Sequence, residues 1–339
     1  MEAVYVQTND AQKNEVVAYR RDGEGSLSKL GSFETGGRGT GKPHLPSQGS
    51  LVLSEDGAWL LAANGGSDTI SLFAVEADSV RLADSVPSGG GMPTSIAVRE
   101  SLVYVANNAD ANVTGFRIVG GKLEALEGST RALSGEGADP AQISFSPDGK
   151  TLVVTERGSN SISAYAIDER GYAEGPVTIP SAGETPYGFG FTGEGTLVVT
   201  EAFGGVKGKA AASSYALAEP GRLRPLSASV ADTRSEVCWA AVTKDGRFVY
   251  VTNFGDGTIS SYSIAADGTI ELADAIAGST PLGEPGVRDE AISTDGRFLY
   301  ALDADTQQVH GWRIAADGRL SEIGTADGLP STVAGLAAS

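Results

Sequence analysis

The chain has 339 residues, a formal net charge of −18 at pH 7 and 46 glycines. This acidic balance argues against binding to nucleic acid or to an anionic membrane surface, because both require a basic face. The single cysteine, Cys238, excludes an internal disulfide framework and fits a small buried hydrophobe. The sequence has no apolar run of transmembrane length and no secretion signal at its start, so we expect a cytoplasmic protein if it is complete.

One unit, two short strand-like segments joined by turn residues, recurs along the whole chain. Its first copy, AVYVQTNDAQKNEVVAYRR, begins at Ala3. Further copies begin at Ser54, Arg99, Ser146, Thr192, Lys244 and Ser293. Asp-Gly and glycine-rich turns between alternating apolar segments are typical of antiparallel hairpins. Seven such copies predict a single all-β domain over residues 1–339, a seven-bladed β-propeller with four antiparallel strands per blade.

The first copy lacks an innermost strand. Ala3–Thr8, Asn14–Arg21 and Leu27–Phe33 match the second, third and fourth strands of the later copies. At the other end of the chain, TVAGL at Thr332–Leu336 falls where the next innermost strand is expected. We therefore predict that Thr332–Leu336 completes the N-terminal blade, which would leave the ring without an unpaired edge.

Strand direction divides the connections between two faces of the ring. The turns between first and second strands, such as Asp56-Gly57 and Asp245-Gly246, are short and uniform. The loops on the opposite face are longer and more varied in chemistry. Because functional residues concentrate on loops that depart from minimal turns, we expect the site on the second face.

A polar residue ends the second strand of every blade on that face. The seven are Asn9, Asn64, Asn107, Glu156, Glu201, Asn253 and Asp303. Asparagine and aspartate at such positions often bond their own loop backbone. Glutamate is a poorer turn former, which favours Glu156 and Glu201 as site residues. No cofactor is required, although Glu156, Glu201, Asp303 and Asn253 could supply oxygen ligands to Ca²⁺.

The loops that enter the innermost strands carry a second set of charged residues. These are His44, Arg234, Glu236, Arg288, Asp289 and Glu290, which we expect around one central opening. Arginine beside carboxylates can hold a carboxylate or phosphate substrate through paired hydrogen bonds, and a carboxylate can position water. The alternative is a rim of structural ion pairs.

The segments SPDGKTLVVTERGSNSISAY, KDGRFVYVTNFGDGTISSY and STDGRFLYALDADTQQV resemble the seven-bladed propeller lactonase family. That family includes propeller-type bacterial 6-phosphogluconolactonases and fungal 3-carboxy-cis,cis-muconate lactonizing enzymes. The tetrapeptide Tyr250–Asn253 also resembles YVTN-repeat propellers. The resemblance implies an enzyme that hydrolyses or forms a small sugar-acid or carboxylate lactone, with no nucleic-acid or membrane partner.

The resemblance implies Glu201, His44 and Arg288 as catalytic residues. Together with the convergent charged residues of the loops, it leads us to expect a substrate-binding set of Arg234, Glu236, Glu156, Arg157, Tyr187, Gln48 and Glu290. The chain departs from the family pattern where Tyr187-Gly188 replaces an expected Arg-His pair, and where Gln142 enters the fourth innermost strand without the expected histidine. These departures leave open a non-catalytic propeller that binds a small molecule or a protein partner on the same face.

Overall fold

The computed structural model of the chain describes residues 2–42, 45–281 and 283–339. Seven antiparallel sheets follow one another around a ring, and each is one blade. The predicted seven-bladed, four-stranded propeller is confirmed. The two described helices are single 3-10 turns at Phe203–Gly205 and Phe254–Asp256. Nothing helical in the described residues is long and apolar enough to cross a membrane.

The strands of the first four blades are as follows. Blade 1 has Ala3–Gln7, Glu15–Arg21, Leu27–Glu34 and Ala334–Ala338; blade 2 has Leu51–Leu53, Trp59–Asn64, Thr69–Val75 and Val80–Pro87. Blade 3 has Pro93–Arg99, Leu102–Asn107, Asn112–Val119 and Lys122–Ala125, with a short fifth strand at Arg131–Ala132; blade 4 has Pro140–Phe145, Thr151–Glu156, Ser161–Ile167 and Ala173–Pro180.

The remaining three blades have four strands each. Blade 5 has Pro186–Phe191, Thr196–Glu201, Ala211–Glu219 and Arg222–Ala231. Blade 6 has Val237–Val242, Phe248–Asn253, Thr258–Ile264 and Ile270–Ser279; blade 7 has Val287–Ile292, Phe298–Asp303, Gln308–Ile314 and Leu320–Ala326. The first strand given for blades 2 to 7, and Ala334–Ala338 in blade 1, are the inner strands that surround the central channel.

The core lies between the blades, where the alternating apolar residues of neighbouring sheets meet. In blades 3, 6 and 7 a buried tyrosine on the second strand also donates a hydrogen bond to the outer turn of the following blade. Tyr104 bonds the Gly171 carbonyl at 2.9 Å, and Tyr300 bonds the Gly25 carbonyl at 2.7 Å. Each of these tyrosines buries apolar area between two blades. Its hydroxyl, although buried, is hydrogen-bonded to the neighbouring blade.

The Asp-Gly turns between first and second strands define what we call the turn face. In the turn after Leu51–Leu53, Gly57 has a φ of 68°, a conformation that favours glycine. The Ser54 hydroxyl donates to Asp56 at 2.6 Å, and Asp56 accepts the Ala58 amide at 3.0 Å. The opposite face, which carries the longer connections, is called the loop face.

The closing strand is Ala334–Ala338, so the predicted range of Thr332–Leu336 is wrong by two residues. It pairs antiparallel with the first strand, with Leu336 opposite Val6 and Ala338 opposite Val4. Val333 is fully buried in the apolar cluster between blades 1 and 7 instead of pairing. The Ala-Ala-Ser end has low β-propensity, and its strand conformation depends on tertiary pairing that no local pattern reveals.

Candidate functional site

Glu201 lies inside its own blade. The carboxylate is 0% exposed and accepts the Gly183 amide at 2.8 Å, the Ser229 hydroxyl at 2.7 Å and the Ser213 hydroxyl. Burial raises the pKa of Glu201, and these hydrogen bonds partly offset the rise. Its partners belong to the blade 5 entry loop and to the two outer strands of the same sheet. The side chain therefore ties the loop to the blade.

Glu156 occupies the same place in blade 4. It is fully buried and accepts hydrogen bonds from the hydroxyls of Ser163 at 2.5 Å and Ser159 at 2.9 Å, and from the Ser134 hydroxyl. In both blades the serines that surround the carboxylate come from the same sheet or its loops. The geometry gives Glu156 and Glu201 a shared structural role.

The four residues considered for Ca²⁺ stay in four separate blades. The Asn253 amide donates to the hydroxyl of Ser260 at 2.8 Å, and Asp303 accepts the Thr306 amide at 2.9 Å. Glu156 and Glu201 are held as described above. Within residues 2–42, 45–281 and 283–339, no three His, Cys, Asp or Glu side chains are grouped for a metal ion. This set is therefore not assembled as one site.

The Ser47–Gln48 segment crosses the central channel. Gln48 belongs to the entry of blade 2, yet its amide group donates to the Ala240 carbonyl at 2.9 Å and accepts the Ala240 amide at 3.0 Å in blade 6. Its backbone amide bonds Ala141 of blade 4 at 2.9 Å. The Trp239 indole donates to the Ser47 carbonyl at 3.1 Å. Blades 4 and 6 are not neighbours of blade 2, so these bonds can form only across the ring centre.

Two arginines stand over aromatic rings at the loop-face end of the channel, which we call the mouth. Arg157 follows the second strand of blade 4, and its guanidinium carbon lies 4.9 Å from the Tyr187 ring centre. Arg288 is the second residue of the inner strand of blade 7, and its guanidinium carbon lies 5.0 Å from the Phe254 ring centre. Stacking on a ring fixes the plane of each guanidinium group.

Buried side chains of blades 5 and 6 form the floor of the mouth. The rings of Tyr187 and Trp239 pack edge to face with centres 5.6 Å apart. Burial raises the pKa of Tyr187 and of the Cys238 thiol, so both are protonated near neutral pH. A nucleophilic cysteine requires the thiolate, which makes Cys238 a packing residue here. The positive charges of Arg157 and Arg288 oppose the rise in the pKa of Cys238. Both arginines border this floor, because Tyr187 belongs to its buried cluster and Phe254 packs against that cluster.

Glu236 supplies a carboxylate beside the arginines. It is half-buried and precedes the inner strand of blade 6 with a φ of 57°. Its carboxylate lies against the loops of Gly205 and Gly255, where a Cβ would come within 2.7 and 3.3 Å of its oxygens. In the described part of the chain no hydrogen bond or ion pair engages this carboxylate. Its negative charge raises the pKa of the Cys238 thiol, whereas the two arginine charges lower it.

Arg157 also contacts an acid that the sequence did not single out. Its guanidinium bonds Asp139 at 2.6 Å, and Asp139 in turn accepts the Asn108 amide at 2.8 Å. The carboxyl of Asp139 is 45% exposed, so the pair is only partly shielded from water. Asp139 has a φ of 48°, in the loop that enters blade 4. The ion pair orients Arg157 toward the floor.

Arg234 lies beside Asp232 of its own loop, whose carboxylate accepts the Arg234 backbone amide at 2.8 Å; among the described residues, its side chain forms no hydrogen bond or ion pair with the floor of the mouth. Asp232 is fully buried, and burial raises its pKa to about 6. The positive charge of Arg234 opposes this shift and the negative charge of Asp256 adds to it. At the equivalent position of blade 2, the Thr35 hydroxyl donates to the end-of-strand Asn64 at 2.7 Å. A protonated Asp232 could donate in the same way.

Asp232 gives a pH dependence of stability whose sign follows from its raised pKa. The folded state holds the proton up to about pH 6, whereas an unfolded aspartate releases it near pH 3.9. The stabilisation is complete below the unfolded value and is lost as pH rises through the folded one, which amounts to about 3 kcal/mol. We expect Asp232→Asn to gain stability relative to wild type as pH rises from 4 to 7 in urea denaturation. Glu124→Gln, an exposed control, should show no such change; equal slopes for Asp232→Asn and wild type would contradict this assignment.

The structure thus brings Arg157, Tyr187, Arg288 and Glu236 together at the mouth, with Gln48 across the channel. Glu290 lies deeper in the channel. His44 lies outside the described residues. Phe254 supports Arg288 and Trp239 forms part of the floor. The sequence did not predict either role, because their only distinguishing feature is a position next to the end or the start of a strand.

A separate open depression lies away from the mouth. It has a volume of about 560 Å³ and lies on the turn face between blades 5 and 6, beside Glu194 and Lys244. Its wall includes the exposed ion pair of Arg247 with Asp245, at 2.7 Å. Hairpin turns of adjacent blades form the depression, and it lacks the buried, convergent charges of the mouth.

Seven blades, each with at least four antiparallel strands, define this chain as a seven-bladed all-β propeller. The chain belongs to the family described as "Lactonase, 7-bladed beta-propeller", whose model matches residues 3–137, 121–202 and 200–335. A comparison with curated proteins finds no match.

Solved structures share the fold over nearly the whole chain. A "putative 6-phosphogluconolactonase" from Bacteroides uniformis has a TM-score of 0.77 at 20% identity, covering 98% of this chain and 99% of its own. The periplasmic gluconolactonase of Pseudomonas aeruginosa has a TM-score of 0.73 at 18% identity, covering 97% of each chain. A functionally unknown protein from Desulfotomaculum acetoxidans has a TM-score of 0.75 at 14% identity, covering 99% of this chain and 98% of its own. At identities this low, the structural similarity shows that the fold is shared and shows nothing about activity.

Proposed function

We propose that this protein is a lactonase that hydrolyses a lactone carrying an anionic group, bound at the mouth of the channel. The observation that carries the proposal is the placement of two stacked arginines over one floor. Arg157 and Arg288 come from blades 4 and 7, and both act on Cys238. Two fixed guanidinium groups suit a carboxylate or phosphate, or the oxyanion that forms when a lactone carbonyl is attacked.

Glu236 is the carboxylate best placed to serve as general base. Its side chain is half-buried and has no protein partner in the described residues, whereas the predicted base Glu201 is saturated by its own blade. In the proposed reaction Glu236 takes a proton from water while the oxygen bonds to the lactone carbonyl carbon. The ring C–O bond then breaks, and the ring oxygen leaves with the proton as the hydroxyl of a hydroxy acid.

The family supports the reaction class, and two relatives support the substrate class. The structures from Bacteroides uniformis and Pseudomonas aeruginosa carry the names of a 6-phosphogluconolactonase and a gluconolactonase. Sugar-acid lactones are therefore the first compounds to assay, and those with a phosphate or carboxylate should be preferred because of the two arginines.

The test is hydrolysis of matched lactones by the purified protein, with spontaneous opening subtracted. We expect kcat/KM to be at least tenfold higher for 6-phosphogluconolactone than for the neutral gluconolactone. Glu236→Gln should lower kcat about 100-fold or more and leave KM nearly unchanged, because general-base catalysis contributes about 10²–10⁴. Glu284→Gln, on an exposed loop of the same face, is the control. Rates equal to spontaneous opening for every lactone would contradict the proposal.

A second candidate function is non-catalytic: the propeller would bind an anionic small molecule on the same face without converting it to a product. The observation that favours it is the engagement of Glu201 by three partners of its own blade. Calorimetric titration with gluconate and 6-phosphogluconate separates the two candidates. Binding that Arg288→Met abolishes, combined with no hydrolysis of any lactone, would favour the second.

A further inference from the structure

On the turn-face side of Gln48, the channel contains a cavity of about 250 Å³ with acidic side chains on its wall. The inner strand of blade 7 presents Asp289 and Glu290 to it, and they are 2% and 4% exposed. Gln48 and Gln142 line the same space from blades 2 and 4. Oxygen-bearing side chains from three blades therefore line one cavity.

Glu290 is the unexplained member of this group. Both of its carboxylate oxygens are buried, and neither has a hydrogen-bond partner among the described residues. The Ala241 amide is close enough to favour the charged form, but it does not reach hydrogen-bond geometry. A buried carboxylate without a partner is strongly unfavourable, which is why such groups are normally paired or bind a metal ion.

The neighbouring charges do not neutralise Glu290. Asp289 is itself acidic; one of its oxygens accepts the Gly335 amide at 2.8 Å, and the Trp239 indole also favours its charged form. The charge of Arg288 interacts with Asp289, while its guanidinium lies over Phe254 toward the loop face. The cavity wall thus carries two carboxylates and lacks a lysine or arginine among its described lining residues.

We propose that Asp289 and Glu290 bind one partly hydrated divalent cation, Ca²⁺ or Mg²⁺, in the central channel. All the side-chain donors are oxygens, which suits these hard cations. The volume accommodates an ion with several waters, since each water takes about 30 Å³. The amide oxygens of Gln48 and Gln142 each accept one backbone amide, from Ala240 and Phe189, and an amide oxygen has a second lone pair that can accept from water.

The cation would connect blade 7 to the crossing residue of blade 2 and to blade 4, and so would stabilise the ring from its centre. This role is separate from lactone hydrolysis, and it is measured by binding and melting. Mg²⁺ often keeps several waters on one or two carboxylates, whereas Ca²⁺ takes more protein oxygens, so the preferred ion reports how closely the glutamines approach it.

The test uses the full chain after dialysis against EDTA and then metal-free buffer. We expect CaCl2 or MgCl2, at about 100 times its Kd, to raise Tm by about 3–5 °C, with one ion per chain in calorimetric titration. Glu290→Gln keeps the side-chain volume, and Asp289→Asn keeps an acceptor for Gly335. Each should weaken binding tenfold or more. Glu271→Gln, an exposed acid on the outer strand of blade 6, should bind as wild type does.

Glu290→Gln should also melt at or above the temperature of metal-free wild type, because it removes a buried charge. This result keeps loss of binding distinct from loss of folding. The inference is overturned if neither cation binds wild type or shifts its Tm, since the carboxyls would then be neutralised by protons alone. It is equally overturned if Glu290→Gln and Asp289→Asn both bind the cation as tightly as wild type.

Discussion

A chain that ends at Pro330 is expected to be insoluble or to melt far below the full-length protein. The deletion removes Ala334–Ala338, the inner strand of blade 1, with its ladder to the first strand. Each backbone hydrogen bond lost costs about 0.5–1.5 kcal/mol. Buried Val333 and Leu336 add roughly 1.5–3 kcal/mol each. The sum approaches the whole stability of a typical domain, about 5–15 kcal/mol.

The deletion also removes polar contacts of the closure. The buried Arg21 donates to the Ser339 carbonyl at 3.1 Å, and without Ser339 it keeps its ion pairs with Asp295 and Glu2 but loses this bond. The Gly335 amide, which bonds Asp289, is lost as well. The first strand then becomes a bare edge open to aggregation.

Soluble yield, gel-filtration volume and Tm measure this effect. Leu336→Ala should give a smaller loss of about 2–5 kcal/mol, as is usual for a buried leucine. Val206→Ala is the control, because Val206 is 55% exposed in a loop. If the truncated chain stayed monomeric with an unchanged Tm, the closing strand would contribute nothing to the ring.

Arg288→Met and Arg157→Met are each expected to lower kcat/KM for an anionic lactone by about 10- to 100-fold. A hydrogen bond to a charged group is worth about 1.5–3 kcal/mol, and each 1.36 kcal/mol corresponds to a factor of ten. The loss should be smaller for a neutral lactone, which lacks the group that the arginines bind. Arg288→Lys keeps the charge without the planar fork, so it should fall between Arg288→Met and wild type.

Arg247→Met is the matched control for both variants. Arg247 also lies over an aromatic ring, 5.5 Å from the centre of Phe248, but on the turn face. Its loss should leave kcat/KM within twofold of wild type. Unchanged kcat/KM in both mouth variants, with circular dichroism like that of wild type, would mean that substrate binds elsewhere.

The candidate site was only partly predictable from the sequence. Loop-entry positions drew attention to Arg288, Glu236 and Tyr187, which the structure places around the mouth, because every inner strand begins on the loop face. The same kind of alignment favoured Glu201, although its carboxylate turns outward to Ser213 and Ser229. A strand-end position fixes where the backbone lies, but the rotamer depends on which hydroxyls the outer strands supply.

The sequence by itself determined the seven-bladed ring and the contribution of both termini to one blade. These features follow from local signals, since alternating apolar residues and Asp-Gly turns specify strands and hairpins at each copy. Only the tertiary structure decided the closing register at Ala334–Ala338, the crossing of Gln48 to Ala240, and the exposure of Glu290 to the channel cavity. These contacts join residues that are far apart in the chain. Their energies depend on which blades meet across the ring, and the sequence pattern within one blade carries no information about that.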